Sequence, residues 1–294
     1  MRGLAVLKGS ASASFLAVML AAPAHAAAVL GHATDGDLGL QPSGSALRDS
    51  AAFFHDLILM PIITLISLFV LALLLWIVFR YNSKRNPVAA RFSHNTTIEI
   101  VWTVVPVLIL VGIAAFSFPL LYAYHNTPKA DVTIKATGNQ WYWAYEYPDA
   151  KIAEYTSNIL PEDKAGDLYK LAVTAPLVVP VNKVTKVLVT GADVLHAFFI
   201  PAFGVQTTAI PGKINEVWFK PRTIGKYYGQ CNELCGVDHS FMPIEVDVVS
   251  QADYDAWVAA HAAKAAAPAA AAPAAAAPVS TPTPAAAPAA AAKA

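Results

Sequence analysis

Both cysteines of the 294-residue chain fall in one loop, Gly229-Gln230-Cys231-Asn232-Glu233-Leu234-Cys235-Gly236-Val237-Asp238-His239-Ser240-Phe241-Met242. The loop joins two thiols to an imidazole, a thioether and a carboxylate. Thiolate, imidazole and thioether form the soft and borderline ligand set that suits copper. Three uses of the thiols compete. A Cys231–Cys235 disulfide would close a very small ring, gaining little chain entropy and inviting strain, and it would leave His239 and Met242 without a role. A mononuclear copper site needs one thiolate, two imidazoles and a weak axial thioether. Cys235, His239 and Met242 match such a loop, with His196 as the upstream imidazole, so that set is complete without Cys231. The remaining cysteine argues for two copper ions bridged by both thiolates. Each copper then takes one imidazole, with Met242 and the Glu233 backbone carbonyl as weak axial ligands. An electron spread over both metals changes each charge little, so it arrives with little rearrangement.

These residues need a scaffold that brings His196 to the loop. From Asp131 to Val249 the sequence alternates, as in Val132-Thr133-Ile134-Lys135-Ala136, Lys186-Val187-Leu188-Val189-Thr190 and Glu245-Val246-Asp247-Val248. Turn signals separate the runs: Thr137-Gly138-Asn139, Gly191-Ala192-Asp193, Pro211-Gly212-Lys213 and Pro221-Arg222. Many short strands with frequent turns predict a β-sandwich or barrel. The polar segment Ile152–Leu171 reads as an excursion between strands, and Gln251–His261 as a helix. Beyond it the chain is nearly all Ala and Pro. Frequent prolines break a polyalanine helix, so residues 259–294 read as a disordered tail without a catalytic role.

Hydrophobic residues make up 56% of the chain, charged residues 14%, and the formal net charge is zero. Without a basic excess, nucleic acid has no electrostatic support as a partner. The apolar excess is concentrated in two runs, Leu57–Phe79 and Ile100–Ala123, each uncharged and long enough to cross a bilayer. Residues 1–26 have the pattern of an export signal: Arg2 and Lys8, a short apolar stretch, then Ala24-His25-Ala26. Residues 27–51 read as an extracytoplasmic arm, 52–125 as a two-helix transmembrane hairpin, and 126–258 as the β-domain. The connection between the spans carries Arg80, Lys84, Arg85 and Arg91 and no acid before Glu99, which predicts that it stays cytoplasmic. Both chain ends, and the metal loop, then face outward from the membrane. Glu99 at the mouth of the second span has two readings: a carboxylate favoured by the helix dipole, or a proton-path group.

The loop Gly229–Met242 resembles the binuclear copper (CuA) loop of the cytochrome c oxidase subunit II family. The similarity continues in Asp193-Val194-Leu195-His196, Ala209-Ile210-Pro211-Gly212, Tyr227-Tyr228-Gly229-Gln230-Cys231 and Gln140-Trp141-Tyr142-Trp143-Ala144-Tyr145-Glu146-Tyr147. It reaches the anchor around Glu99 and Trp102, and spans roughly residues 52–258. The resemblance implies a membrane-anchored, cupredoxin-like β-sandwich or barrel. It implies side-chain copper ligation by His196, Cys231, Cys235, His239 and Met242, and carbonyl ligation by Glu233. The Glu233 side chain then reaches a magnesium ion shared with subunit I, a hard ligand for a hard cation. Trp141 matches the tryptophan through which cytochrome c delivers its electron, and Glu99 the carboxylate at a proton channel of subunit I. Phe198 departs from the pattern, since many relatives carry tryptophan there.

The partners so implied are subunit I, other oxidase subunits and, transiently, cytochrome c. Between Asp131 and Asp255 stand 15 acids and 10 bases, an excess that would steer a basic partner. Glu146, Asp149, Glu154 and Asp193 are the candidate docking acids. The other functions considered are a quinol oxidase subunit, a copper carrier and a nitrous oxide reductase domain. The complete ligand set disfavours the first. A carrier needs neither the aromatic run nor Glu99, and the two spans count against the third.

Overall fold

The computed structural model describes residues 31–34, 39–88 and 90–266. The leader read at 1–26 and the Ala/Pro tail from 267 onward lie outside the described residues. Helix α1 runs over Ala46–Arg80 and α2 over Thr96–His125; both are long and apolar enough to cross a membrane. Helix α1 begins inside the segment read as an arm. Ser45 caps it, its hydroxyl accepting from the Arg48 N–H at 3.1 Å, and Leu47 and Arg48 are buried. Such a cap satisfies a donor that the first helical turn leaves open. Pro61 cannot bond the carbonyl four residues back, and its ring crowds it. The helix widens into a π-type segment at Phe54–Leu59 just before that proline. Asn95 caps α2 by accepting from the Ile98 N–H at 3.2 Å, and the helix continues through Pro106 and Pro119. Leu65, Phe69, Val78, Leu108 and Val111 are exposed, and none of either helix's most apolar stretch is buried within the chain. Only lipid or other apolar protein can cover such faces.

The β-domain is a sandwich of two five-stranded sheets. One has the order β3-β2-β1-β5-β8 and the other β4-β10-β9-β6-β7. The strands are β1 Val132–Asn139, β2 Tyr142–Tyr147, β3 Ile152–Ser157, β4 Leu177–Pro180, β5 Thr185–Gly191, β6 His196–Ile200, β7 Val205–Ala209, β8 Asn215–Phe219, β9 Gly225–Cys231 and β10 Pro243–Val249. Strict alternation along β1 turns Val132, Ile134, Ala136 and Gly138 inward. They meet Val187, Val189, Phe198, Tyr227, Ile244 and Val246 in one core. Where an excursion was expected, Ile152–Ser157 forms a strand bonded to β2, at the edge of its sheet. An edge strand has one neighbour and one solvated side, so polar residues there carry little penalty. Helix α3, Gln251–Ala266, outlasts the expected end at His261 and takes in residues 259–266 of the segment read as a disordered tail. Alanine favours helix, and the first proline comes only at Pro268.

The helices are joined to the sandwich by polar contacts. Ser45 donates to the Phe203 carbonyl at 2.7 Å and Trp218 Nε1 to that of Ala123 at 3.1 Å, while Tyr124 ties α2 to α1 by donating to the Leu47 carbonyl at 3.3 Å. The Arg222 guanidinium meets both Asp49 carboxylate oxygens, one of them at 3.1 Å.

Candidate metal centre

The metal loop is the connection between β9 and β10. These strands pair antiparallel up to Pro243 and Gln230, and the Cys231 N–H donates to the Met242 carbonyl at 3.3 Å. The hairpin is therefore clamped where its first and last ligands sit. Strand β6 lies beside β9 with Phe198 opposite Cys231. That register puts His196, two residues before Phe198, at the loop's end of the sheet. His196 also needs space from the facing sheet. A Cβ on Gly138 would lie 2.9 Å from its ring, so only glycine lets the imidazole rest on β1. Phe198 is fully buried and meets Trp143 edge-on with ring centres 5.6 Å apart, so packing is preserved where the family pattern was broken.

Two sulfurs and two imidazoles face one another in pairs. The Cys231 and Cys235 Sγ atoms stand 3.9 Å apart as free thiols. His196 Nδ1 lies 3.9 Å from the Cys231 sulfur, and His239 Nδ1 lies 3.6 Å from that of Cys235. Met242 Sδ is 3.6 Å from the Cys235 sulfur, and the Glu233 carbonyl is 3.3 Å from that of Cys231. His196, Cys231 and Cys235 present ligand atoms within 4.8 Å of one another, all three buried. The Glu233 residue is exposed.

Asp193 holds the far side of His196, its Oδ1 accepting from Nε2 at 2.9 Å. A carboxylate oxygen accepts, so the ring proton sits on Nε2 and the Nδ1 lone pair faces the sulfurs. Burial raises Asp193, but the donors from His196, Val194 and Gln140 override it and hold the carboxyl below its ordinary range. Burial lowers His196, but Cys231 and Asp193 override it and leave the imidazole raised. Burial also pushes both thiols up. For Cys231 the His196 imidazole and the backbone at Glu233 and Ala197 reverse this, bringing it down to about 7. Cys235 stays raised, by burial and by its neighbour Cys231. One thiol is thus primed as a thiolate, and the second would lose its proton on metal binding. Soft donors, paired imidazoles and a shielded thioether fit a copper centre.

Trp141 is joined to this loop. Its Nε1–H and the Gln140 side-chain amide both donate to the Cys235 carbonyl, at 3.2 and 3.0 Å. Gly236, at φ +128°, lies beneath the indole, where a Cβ would be 2.8 Å from Trp141 Cζ2. Glu99 is not brought to the centre; it stands in the first turn of α2 and accepts from the Asn95 N–H at 3.3 Å. Among the docking candidates, Glu146 and Glu154 share Lys135, at 3.2 and 3.7 Å. The sequence reading overlooked the contributions of Gly138, Gly236 and Gln140, and the bond that the candidate docking acid Asp193 makes to His196. The three-residue spacing of Asp193 and His196 was the available clue.

Residues 132–249 match the family described as cytochrome C oxidase subunit II, periplasmic domain, and residues 33–120 match its transmembrane domain. Cytochrome c oxidase subunit 2 of Cereibacter sphaeroides is 42% identical over 282 residues, covering 88% of this chain and 92% of the relative. The chain belongs to the cytochrome c oxidase subunit II family. The probable subunit 2 of Rickettsia bellii is 45% identical over 224 residues, covering 76% of this chain and 83% of the relative. A crystal structure of the periplasmic domain of subunit II (CoxB) of Bradyrhizobium japonicum is 54% identical, covering 47% of this chain and 99% of that one, with a TM-score of 0.45. As a subunit II, the chain is a membrane-anchored component of an oxidoreductase, and its fold is the expected pair of apolar helices followed by a β-sandwich.

Proposed function

We propose that this subunit II carries a binuclear copper centre, receives electrons from cytochrome c beside Trp141 and hands them to haem in subunit I. One observation carries the binuclear reading: each thiol has its own imidazole, His196 at Cys231 and His239 at Cys235. A mononuclear site would gather both imidazoles around Cys235. Held there by His196, Cys231, Cys235, His239 and Met242, copper would supply one-electron transfer with little rearrangement. The chain's residues do the rest. Gly138 and Asp193 fix the His196 ring, buried Met242 keeps water from the sulfurs, and Trp141 offers a path to the Cys235 backbone through one hydrogen bond. The exposed Glu233 carboxylate is assigned to a magnesium ion shared with subunit I, and Glu99 to the mouth of a proton channel there. The chain is further assigned a cleaved leader over residues 1–26 and two spans in a bacterial inner membrane. Its N-terminus and copper domain are placed in the periplasm, and the basic connection in the cytoplasm.

The test is copper content and electron paramagnetic resonance on the full-length chain. Two coppers per chain and an unpaired electron shared equally by both nuclei are expected. One copper per chain, or a spectrum confined to one nucleus, would refute the binuclear centre.

A further inference from the structure

The connection between β3 and β4 carries one residue in a conformation that its side chain disfavours. Lys170 has φ +68°, in the left-handed region that a Cβ makes costly. Such a backbone persists only where its surroundings over-determine it. The Leu171 and Ala172 N–H groups both donate to the Leu168 carbonyl at 2.9 Å, closing a tight turn around Lys170. Immediately after it, the Val173 N–H donates to the carboxylate of Glu245, a buried residue of β10, at 2.9 Å.

The turn brings Lys170 to both roots of the metal hairpin. Its carbonyl accepts from the Gln230 side-chain amide at 3.3 Å. Its Nζ stands 4.5 Å from the centre of the Phe241 ring. Gln230 directly precedes Cys231; Phe241 directly precedes Met242 and follows His239 by two residues. Lys170 is half-buried and, among the described residues, makes no ion pair. The Phe241 ring is therefore the near partner of its charge, since an ammonium over an aromatic face is attracted by the ring's quadrupole. Phe241 closes a single 3-10 turn over His239–Phe241, its N–H donating to the Asp238 carbonyl at 2.9 Å. A shift of Phe241 thus carries His239 and Met242 with it. We infer that Lys170 is a positioning residue: its ammonium pins the Phe241 ring and, through that turn, holds His239 and Met242 in place for the metal. This rests on the copper reading above and deepens it. A fixed positive charge on that side also favours the less positive, reduced form of the centre and holds its reduction potential up.

Replacements at Lys170 and Phe241 test this in the copper-loaded full-length chain. Lys170→Met removes the charge but keeps an unbranched stem and the backbone carbonyl. Lys170→Arg keeps a cation that also stacks on aromatic faces. Lys170→Met should weaken copper retention against a chelator about two- to fivefold, the scale of one exposed cation–π contact. It should also lower the reduction potential and change the hyperfine couplings of one imidazole. Lys170→Arg should restore all three. In a Phe241→Leu background, Lys170→Met should add nothing further to the loss of retention or to the change in couplings, because the ring it acts through is gone. Wild-type retention, potential and spectrum in Lys170→Met would overturn the inference, even if the metal-free protein unfolds at lower urea, since the residue would then only support the fold. Equal impairment by Lys170→Met and Lys170→Arg would overturn it by removing the role of the charge. An undiminished effect of Lys170→Met in the Phe241→Leu background would overturn it by removing the ring. If Phe241→Leu holds no copper, the comparison of Lys170→Met with Lys170→Arg decides alone. One copper per wild-type chain refutes the shared centre and leaves the Lys170 comparison standing, so the two claims fail separately.

Discussion

Gly138→Ala adds a single carbon at the point where the two sheets pinch the candidate ligand His196. The new Cβ would lie 2.9 Å from two atoms of the ring and 3.0 Å from its Cβ. Carbon atoms settle at about 3.5–4.0 Å, so the imidazole must retreat by roughly 0.6–1 Å. Its retreat is restricted, with Trp143 packed edge-on and Asp193 holding Nε2. Overpacking of this kind costs about 1–3 kcal/mol. Alanine in an extended strand recovers about 0.4–1 kcal/mol by restricting the unfolded chain. The net expectation is a loss of about 1–2 kcal/mol in the metal-free protein, measured by urea unfolding of the full-length chain. The larger effect should fall on the metal. Ring displacement moves Nδ1 away from its place 3.9 Å from the Cys231 sulfur, and lost ligand support typically weakens metal binding about 10–100-fold. Chelator competition measures that loss, and the resonance spectrum should show the two copper nuclei becoming inequivalent. Wild-type copper affinity and spectrum in Gly138→Ala would refute the reasoning, because they would mean that the ring does not depend on the bare backbone of β1.

Replacing Trp141 with Phe removes the Nε1–H that bonds Cys235 and should slow cytochrome c oxidation several-fold with the copper spectrum unchanged; an unaltered rate in stopped-flow would take Trp141 out of the receiving role. Glu99→Gln should lower steady-state turnover and proton uptake in reconstituted oxidase while the first electron still arrives at the wild-type rate. Lys226→Met deprives Glu245, which is buried, and Asp247 of donors at 2.6 and 2.9 Å. Because Lys226 is itself half-exposed, the expected cost is only about 1–2 kcal/mol. Burial lowers the Lys226 pKa, but the two carboxylates override it and leave it well above the ordinary lysine range. A pKa raised by folding stabilises fully below the unfolded value of about 10.4 and is lost as pH rises through the folded one. The gap between wild type and variant in urea unfolding should therefore stay level from pH 7 to about 10 and close above that.

The sequence by itself determined the donor types, because both thiols, the second imidazole and the thioether lie in one short loop whose spacing needs no tertiary information. It also determined the sandwich and the two spans, since alternation at a period of two and long uncharged apolar runs are local signals. Boundaries were less legible: capping by Ser45 and packing of Leu47 and Arg48 begin α1 before the apolar run starts, and the alanines after His261 prolong α3 as far as Ala266. The tertiary structure alone decided which imidazole faces which sulfur. That depends on the register of β6 against β9, set by hydrogen bonds between residues far apart in the chain. Contact between distant segments likewise decided that Gly138 must lack a side chain, that Gly236 lies under Trp141 and that Asp193 bonds the His196 ring. A carboxylate, or a glycine, looks the same in the sequence whichever face it serves, and only the packing of distant segments assigns it one.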